Sequence, residues 1–171
     1  MKSQGEYDYQ YFKASRKFQN DPERVRHFLI EILKYNPQRV LDVGCGLGAV
    51  VIKLNKLGVG TIGVDNAAAL GRFFWKEPYF MEADAKDLPF DDHSFDLVFS
   101  SDFFEHVPEE EIDAVLAEMR RVGKIIVCEI AFESKLNKRQ EKYHVTNKPK
   151  EWWKKKLPGV EILEYFHEGM V

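Results

Sequence analysis

The chain has 171 residues, 44% of them hydrophobic, and a formal net charge of −3. That length and apolar content fit one domain with a sizeable core, and so small a charge gives no global attraction to nucleic acid or to anionic membrane. Cys45 and Cys128 have neither a CxxC partner nor a nearby His ligand, which argues against a disulfide framework or a zinc site; MKSQGEYDYQ lacks the apolar core of a signal peptide, and no apolar run reaches the roughly 18 residues of a membrane span, so a cytoplasmic protein is expected.

In chain order, the aromatic residues Tyr7, Tyr9, Tyr11 and Phe12 come first. Residues 1–20 read equally as a lid over a ligand, as core packing or as a loose tail. Asp21 is placed to cap a helix with Pro22 in its first turn, and Val25, Phe28, Leu29, Ile32 and Leu33 share one face before Pro37. Strand-like runs at 39–43, 61–64, 79–83, 95–100, 124–130 and 160–166 alternate with helical spacing at 49–57, 67–75 and 108–121. In the last helix Pro108 suits the first position. Glu109, Glu110 and Glu111 complement the positive end of the dipole, Arg120 and Arg121 the other, and Ile112, Val115, Leu116 and Met119 make the buried stripe. The alternation predicts βαβ units: an α/β, Rossmann-like, doubly wound, mostly parallel sheet of six to seven strands with helices on both faces, in one domain over 1–171. Ligands bind such sheets beyond the carboxyl ends of the strands, which directs attention to 42–48, 65–67, 84–88 and 100–107.

The first of these segments, Asp42-Val43-Gly44-Cys45-Gly46-Leu47-Gly48-Ala49, runs from an apolar strand through a glycine turn into a helix. Gly44, Gly46 and Gly48 permit positive φ and bring the backbone close to a ligand, with Cys45 in the same turn, and the helix opening near Leu47 offers N–H groups. The turn alone also satisfies the dinucleotide pattern G-x-G-x-x-G/A. Asp42 tips the balance, because its carboxylate would repel a pyrophosphate and favour an ammonium or a sulfonium. S-adenosylmethionine (SAM) carries both cations and no phosphate. Asp65, followed by Asn66, ends the second strand where a carboxylate accepts from ribose hydroxyls in SAM and NAD sites alike.

These residues, with Ala83-Asp84-Ala85-Lys86-Asp87-Leu88-Pro89-Phe90 and Ser94-Phe95-Asp96-Leu97-Val98-Phe99-Ser100 after them, resemble the motifs of class I SAM-dependent methyltransferases of the type that methylates small molecules and glycans. The resemblance covers about 39–130. It implies that Asp84 accepts from the adenine amino group, that Ala85 donates its backbone N–H to the ring, that Ser100 lies near the methionine end and that Phe103 flanks the cofactor. Arg120-Arg121-Val122-Gly123-Lys124 is shorter than the family's usual turn before the fifth strand, and a seventh strand is not evident.

Methyl transfer from a sulfonium asks the protein mainly to position the nucleophile and exclude water. A base is needed only for a protonated acceptor, and His106 and His144 are the candidates. The alternatives for them are a structural or cofactor-side His106 and an exposed loop His144 beside packed Trp152 and Trp153. Residues 131–171 form a variable acceptor-side region. Within it, 134–156 carry nine Lys or Arg against two Glu, read as a solvated basic face or as a surface for an anionic substrate. Asp91-Asp92-His93 reads as a turn, and no metal is assigned. The expected function is methylation of an oxygen or nitrogen of a small molecule or sugar. The alternatives are a noncatalytic SAM-binding subunit docking a protein or RNA partner and an NAD-dependent oxidoreductase. A nucleic-acid substrate is disfavoured, because no recognition domain is visible; the oligomeric state is left open.

Overall fold

A computed structural model describes residues 7–132 and 143–163. The elements are α1 (Tyr9–Gln19), α2 (Pro22–Leu33), β1 (Arg39–Val43), α3 (Ala49–Lys56), β2 (Gly60–Asp65), α4 (Ala68–Phe73), β3 (Phe80–Glu82), β4 (Phe95–Ser101), a 3₁₀ turn (Phe104–His106), α5 (Ile112–Val122), β5 (Gly123–Glu129), α6 (Lys150–Lys156) and β6 (Glu161–Leu163). The six strands pair in the order β3-β2-β1-β4-β5-β6, every pair parallel. The order reverses between β1 and β4, the crevice where this architecture receives ligands.

Register follows from the two-residue period of each strand. Leu41, Val98 and Ile126 align across β1, β4 and β5 and face the core shared with α5, whereas Val40 and Leu97, one position earlier, face α2 and α3. Both sheet faces are therefore covered, as an all-parallel sheet requires.

The structure differs from the sequence reading at two helices. Residues 9–19 form α1, capped by the Asp8 side chain accepting from Tyr11 N–H at 2.9 Å. The helix placed at 108–121 begins only at Ile112, so Pro108 precedes it and Glu109 to Glu111 lie in a turn. There Glu111 meets Lys86 at 3.0 Å and Glu109 meets Lys148 at 2.8 Å: tertiary ion pairs hold acids that the sequence assigns to the helix dipole. Val122 passes directly into Gly123 of β5 with no intervening loop. Of the strand expected at 160–166, residues 161–163 are seen, and 164–166 lie outside the described residues.

Candidate functional site

The carboxyl ends of β1, β2 and β4 open into one cleft, roofed by α1 and the start of α2. At its centre the glycine turn leaves β1. Gly44 and Cys45 N–H both donate to the Val64 carbonyl, at 2.8 and 3.0 Å, and tie β1 to β2. Gly44, Gly46 and Gly48 all have positive φ. At Gly44 a Cβ would stand 2.4 Å from the Phe103 ring, so the absent side chain makes room for that aromatic wall. Over Gly46 the space is taken by Gln19 of α1, whose Oε1 accepts from Leu47 N–H at 2.9 Å and whose Nε2 donates to Ser15 at 3.0 Å. The Trp75 indole N–H donates to the Gly46 carbonyl at 3.0 Å.

Two carboxylates flank this turn. Asp65 Oδ2 accepts from Gly46 N–H at 3.1 Å and Oδ1 from Ala67 N–H at 3.0 Å, so the second strand's acid organises the first strand's turn. Burial raises its pKa, against the pull of those backbone donors. Asp42 is 4% exposed; burial, reinforced by Asp65 and opposed by Arg24, pushes its pKa up to about 8. The same burial, with both aspartates nearby, keeps the Cys45 thiol protonated, and both Cys45 and Cys128 are free thiols.

Beneath the cleft lies a charge cluster that sequence reasoning missed. The Arg24 guanidinium, 4% exposed, donates to Asp102 and, at 3.0 Å, to Glu129, while its face lies over the Phe18 and Phe28 rings. Burial and the Asp102 charge push Glu129 up to about 8 even with Arg24 beside it, and burial with both neighbours raises Glu105 well above the carboxylate range. Asp102 holds φ of 45°, a left-handed conformation uncommon outside glycine, at the point where β4 ends in the cleft. Arg24 could have been noticed in the sequence: it stands four residues before Phe28, on the face otherwise assigned to the core. Its partners lie 78 and 105 residues away, and no local pattern names them.

Of the sequence-predicted residues, Asp42, Gly44, Cys45, Gly46 and Gly48 line the cleft, as do Asp65, Asn66, Ala85, Phe103 and His106. Three predicted residues do not face it. Asp84 is exposed and closes its own turn, Oδ1 accepting from Lys86 N–H at 2.9 Å. Ser100 is fully buried, one residue short of the strand end, so Ser101 and Asp102 reach the cleft in its place. His144 stands behind His106, ring centroids 4.8 Å apart. His106 Nδ1 lies 2.9 Å from the Tyr143 carbonyl and 3.0 Å from the Tyr7 hydroxyl. A carbonyl only accepts, so the ring proton sits on Nδ1 and Nε2 is the basic nitrogen. Tyr7 and Tyr11 line the cleft; Tyr9 instead stacks on Phe74.

In the basic region, Lys148 and Lys156 pair with Glu109 and Asp113, and Trp153 is fully buried against Phe104. Lys135, Lys138, Arg139 and Lys142 lie outside the described residues. Asp91 to Ser94 form the expected turn, with Ser94 N–H and hydroxyl both on the Asp91 carbonyl. No helix of the described residues is long and apolar enough to cross a membrane.

Comparison with known proteins agrees with this geometry. A family model described as a methyltransferase domain matches residues 41–125. An uncharacterized methyltransferase of Synechocystis is 32% identical over 106 residues, 60% of this chain and 50% of that protein. The chloroplastic tocopherol O-methyltransferase of Arabidopsis thaliana is 35% identical over 104 residues, 53% of this chain and 29% of that one. A solved SAM-dependent methyltransferase from Archaeoglobus fulgidus superposes with a TM-score of 0.57 at 30% identity, covering 70% of this chain and 57% of that one. A phosphoethanolamine N-methyltransferase of Haemonchus contortus, solved with S-adenosylhomocysteine, shares the fold at a TM-score of 0.64 and 21% identity. The chain thus spans half the length or less of these curated relatives. The motif order along β1 to β4, the strand order and these matches together make the chain a member of the class I SAM-dependent methyltransferases.

Proposed function

We propose that this chain transfers the methyl group of SAM to an oxygen or nitrogen of a small-molecule or sugar acceptor. The observation that carries the reading is the buried Asp42 beside the glycine turn, in a cleft where Asp65 and Asp102 add negative charge and Arg24 is the one cationic side chain among the lining residues. Such a cleft suits a ligand bearing an ammonium and a sulfonium and disfavours a pyrophosphate. The residues fit that ligand: Asp42 and Asp102 border the deep end, Asp65 stands at the end of β2 where ribose hydroxyls can donate to it, and the small Ala83 and Ala85 leave width for a flat base.

SAM supplies an activated methyl group and its own leaving group. The protein orients the acceptor and excludes water. Tyr7, Tyr11 and Phe103 wall the reactive end, α1 covers it, and His106, its Nδ1 anchored on the Tyr143 carbonyl, can take an acceptor proton at Nε2. Calorimetry is expected to detect binding of SAM and S-adenosylhomocysteine and none of NAD. Asp65→Ala should weaken the first two at least about tenfold, the value of a lost charge-assisted hydrogen bond. Binding of NAD in preference to SAM would remove the reading.

A further inference from the structure

We propose that Glu105, His106 and His144 bind one divalent metal ion of the zinc class behind the wall of the cleft. Together they offer a carboxylate oxygen and two ring nitrogens, all within 4.8 Å of one another. Glu105, 0% exposed, spends Oε1 accepting from Ala131 N–H at 3.1 Å, and its buried Oε2 has no partner among the described residues. His144 likewise keeps Nδ1 buried without a partner among them. A buried polar atom left unsatisfied is costly, so two of them beside one spot call for an explanation. His106 supplies the third donor, and its Nδ1–H bond to the Tyr143 carbonyl is the bond by which proteins ordinarily fix the tautomer of a metal-ligating histidine.

The donor types point the same way. Two imidazoles and one carboxylate are the donors of an open Zn²⁺ site, whereas Mg²⁺ and Ca²⁺ take oxygen. Tetrahedral ligand atoms stand about 3.4 Å apart, so the widest pair must close by roughly 1.4 Å. His144 stands on irregular backbone ahead of α6, where a side-chain rotation suffices. Sequence alone assigns no metal, either at Cys45 and Cys128 or at residues 91–93. A metal here would claim the His106 nitrogen that is otherwise available as a base.

Co²⁺ is the probe, because its visible absorption reports coordination. The untagged, chelator-treated chain should bind one Co²⁺ with the spectrum of a low-coordinate nitrogen–oxygen site, and Zn²⁺ should displace it. His144→Ala should weaken Co²⁺ at least about tenfold, and His93→Ala, in the turn at 91–94, should leave it unchanged. Should His144→Ala fold poorly, paramagnetic broadening of the wild-type imidazole resonances decides, with His106 and His144 broadened ahead of His27 and His93. S-adenosylhomocysteine binding measured on the same samples reports the cofactor site separately. No stoichiometric Co²⁺ binding, or broadening centred on other histidines, would overturn the proposal.

Discussion

Asp42 carries the cleft's preference for cations, yet not as a simple fixed charge. In the sequence it reads as a carboxylate that repels phosphate. In the folded chain, burial and the neighbouring Asp65 hold its pKa near 8, so at neutral pH it is mostly protonated until a cation arrives. Under the proposed function, SAM binding then expels a proton. Affinity should rise as pH climbs toward 8 and level off above it, and calorimetry in buffers of different ionisation enthalpy should detect the released proton at pH 7. Asp42→Asn should flatten the dependence and abolish the release; an unchanged pH profile would show that the cation is held elsewhere. Arg24 has the complementary role of keeping two acids buried. Arg24→Met removes the cation paired with Asp102 and Glu129, and an equilibrium denaturation should register a loss of about 3–5 kcal/mol, typical of a buried pair broken on one side.

At the scale of elements, what the sequence revealed tracks how local the determinants are. The strands and α2 were legible because their signals are local: a period of two, or an Asp21 cap with Pro22 at the start of an apolar stripe, and Asp21 does accept from Glu23 and Arg24 N–H. The sequence of α1 is compatible with lid, packing or tail alike, because its docking depends on distant partners: Gln19 on the glycine turn, Phe12 against Ala67 and Leu70, Tyr7 on His106. In Gln19→Ala the Leu47 amide should exchange with solvent roughly fivefold faster, reflecting a lost bond worth about 1 kcal/mol. The start of α5 departs from the sequence pattern for a similar reason, its acids answering to Lys86 and Lys148 instead of the helix end. The abrupt α5–β5 junction depends on Gly123, where a Cβ would stand 2.3 Å from Val98 Cγ2 in the fully buried core. Gly123→Ala should therefore cost about 1–3 kcal/mol in a thermal or urea melt, in the range of an overpacked core.

The order of motifs along the whole chain fixed the Rossmann-like architecture and the glycine-turn half of the site, since each motif sits at a strand end that the parallel topology brings to one edge. The acidic half was not legible, because it exists only where α2, β4 and β5 converge. That half governs the molecule's response to pH. Asp42 and Glu129 have folded values near 8 against ordinary carboxylate values when unfolded, so the folded state holds more protons between about pH 4 and 8. Their contribution to stability is complete below the unfolded values and is lost as pH rises through the folded ones. Asp96, Glu111 and Glu118 act in the opposite sense: held below their ordinary range by Lys124, Lys86 and Arg121, they lose their contribution as pH falls, but they are partly solvated and count for less. The ligand-free chain should accordingly melt at a higher temperature near pH 6 than near pH 8.5, each buried acid contributing at most about 1.4 kcal/mol per pH unit. Asp42→Asn should raise the melting temperature strongly at pH 8.5 and much less at pH 5. If wild type and variant instead lose stability in parallel above pH 6, the proton held in the folded state is not on Asp42.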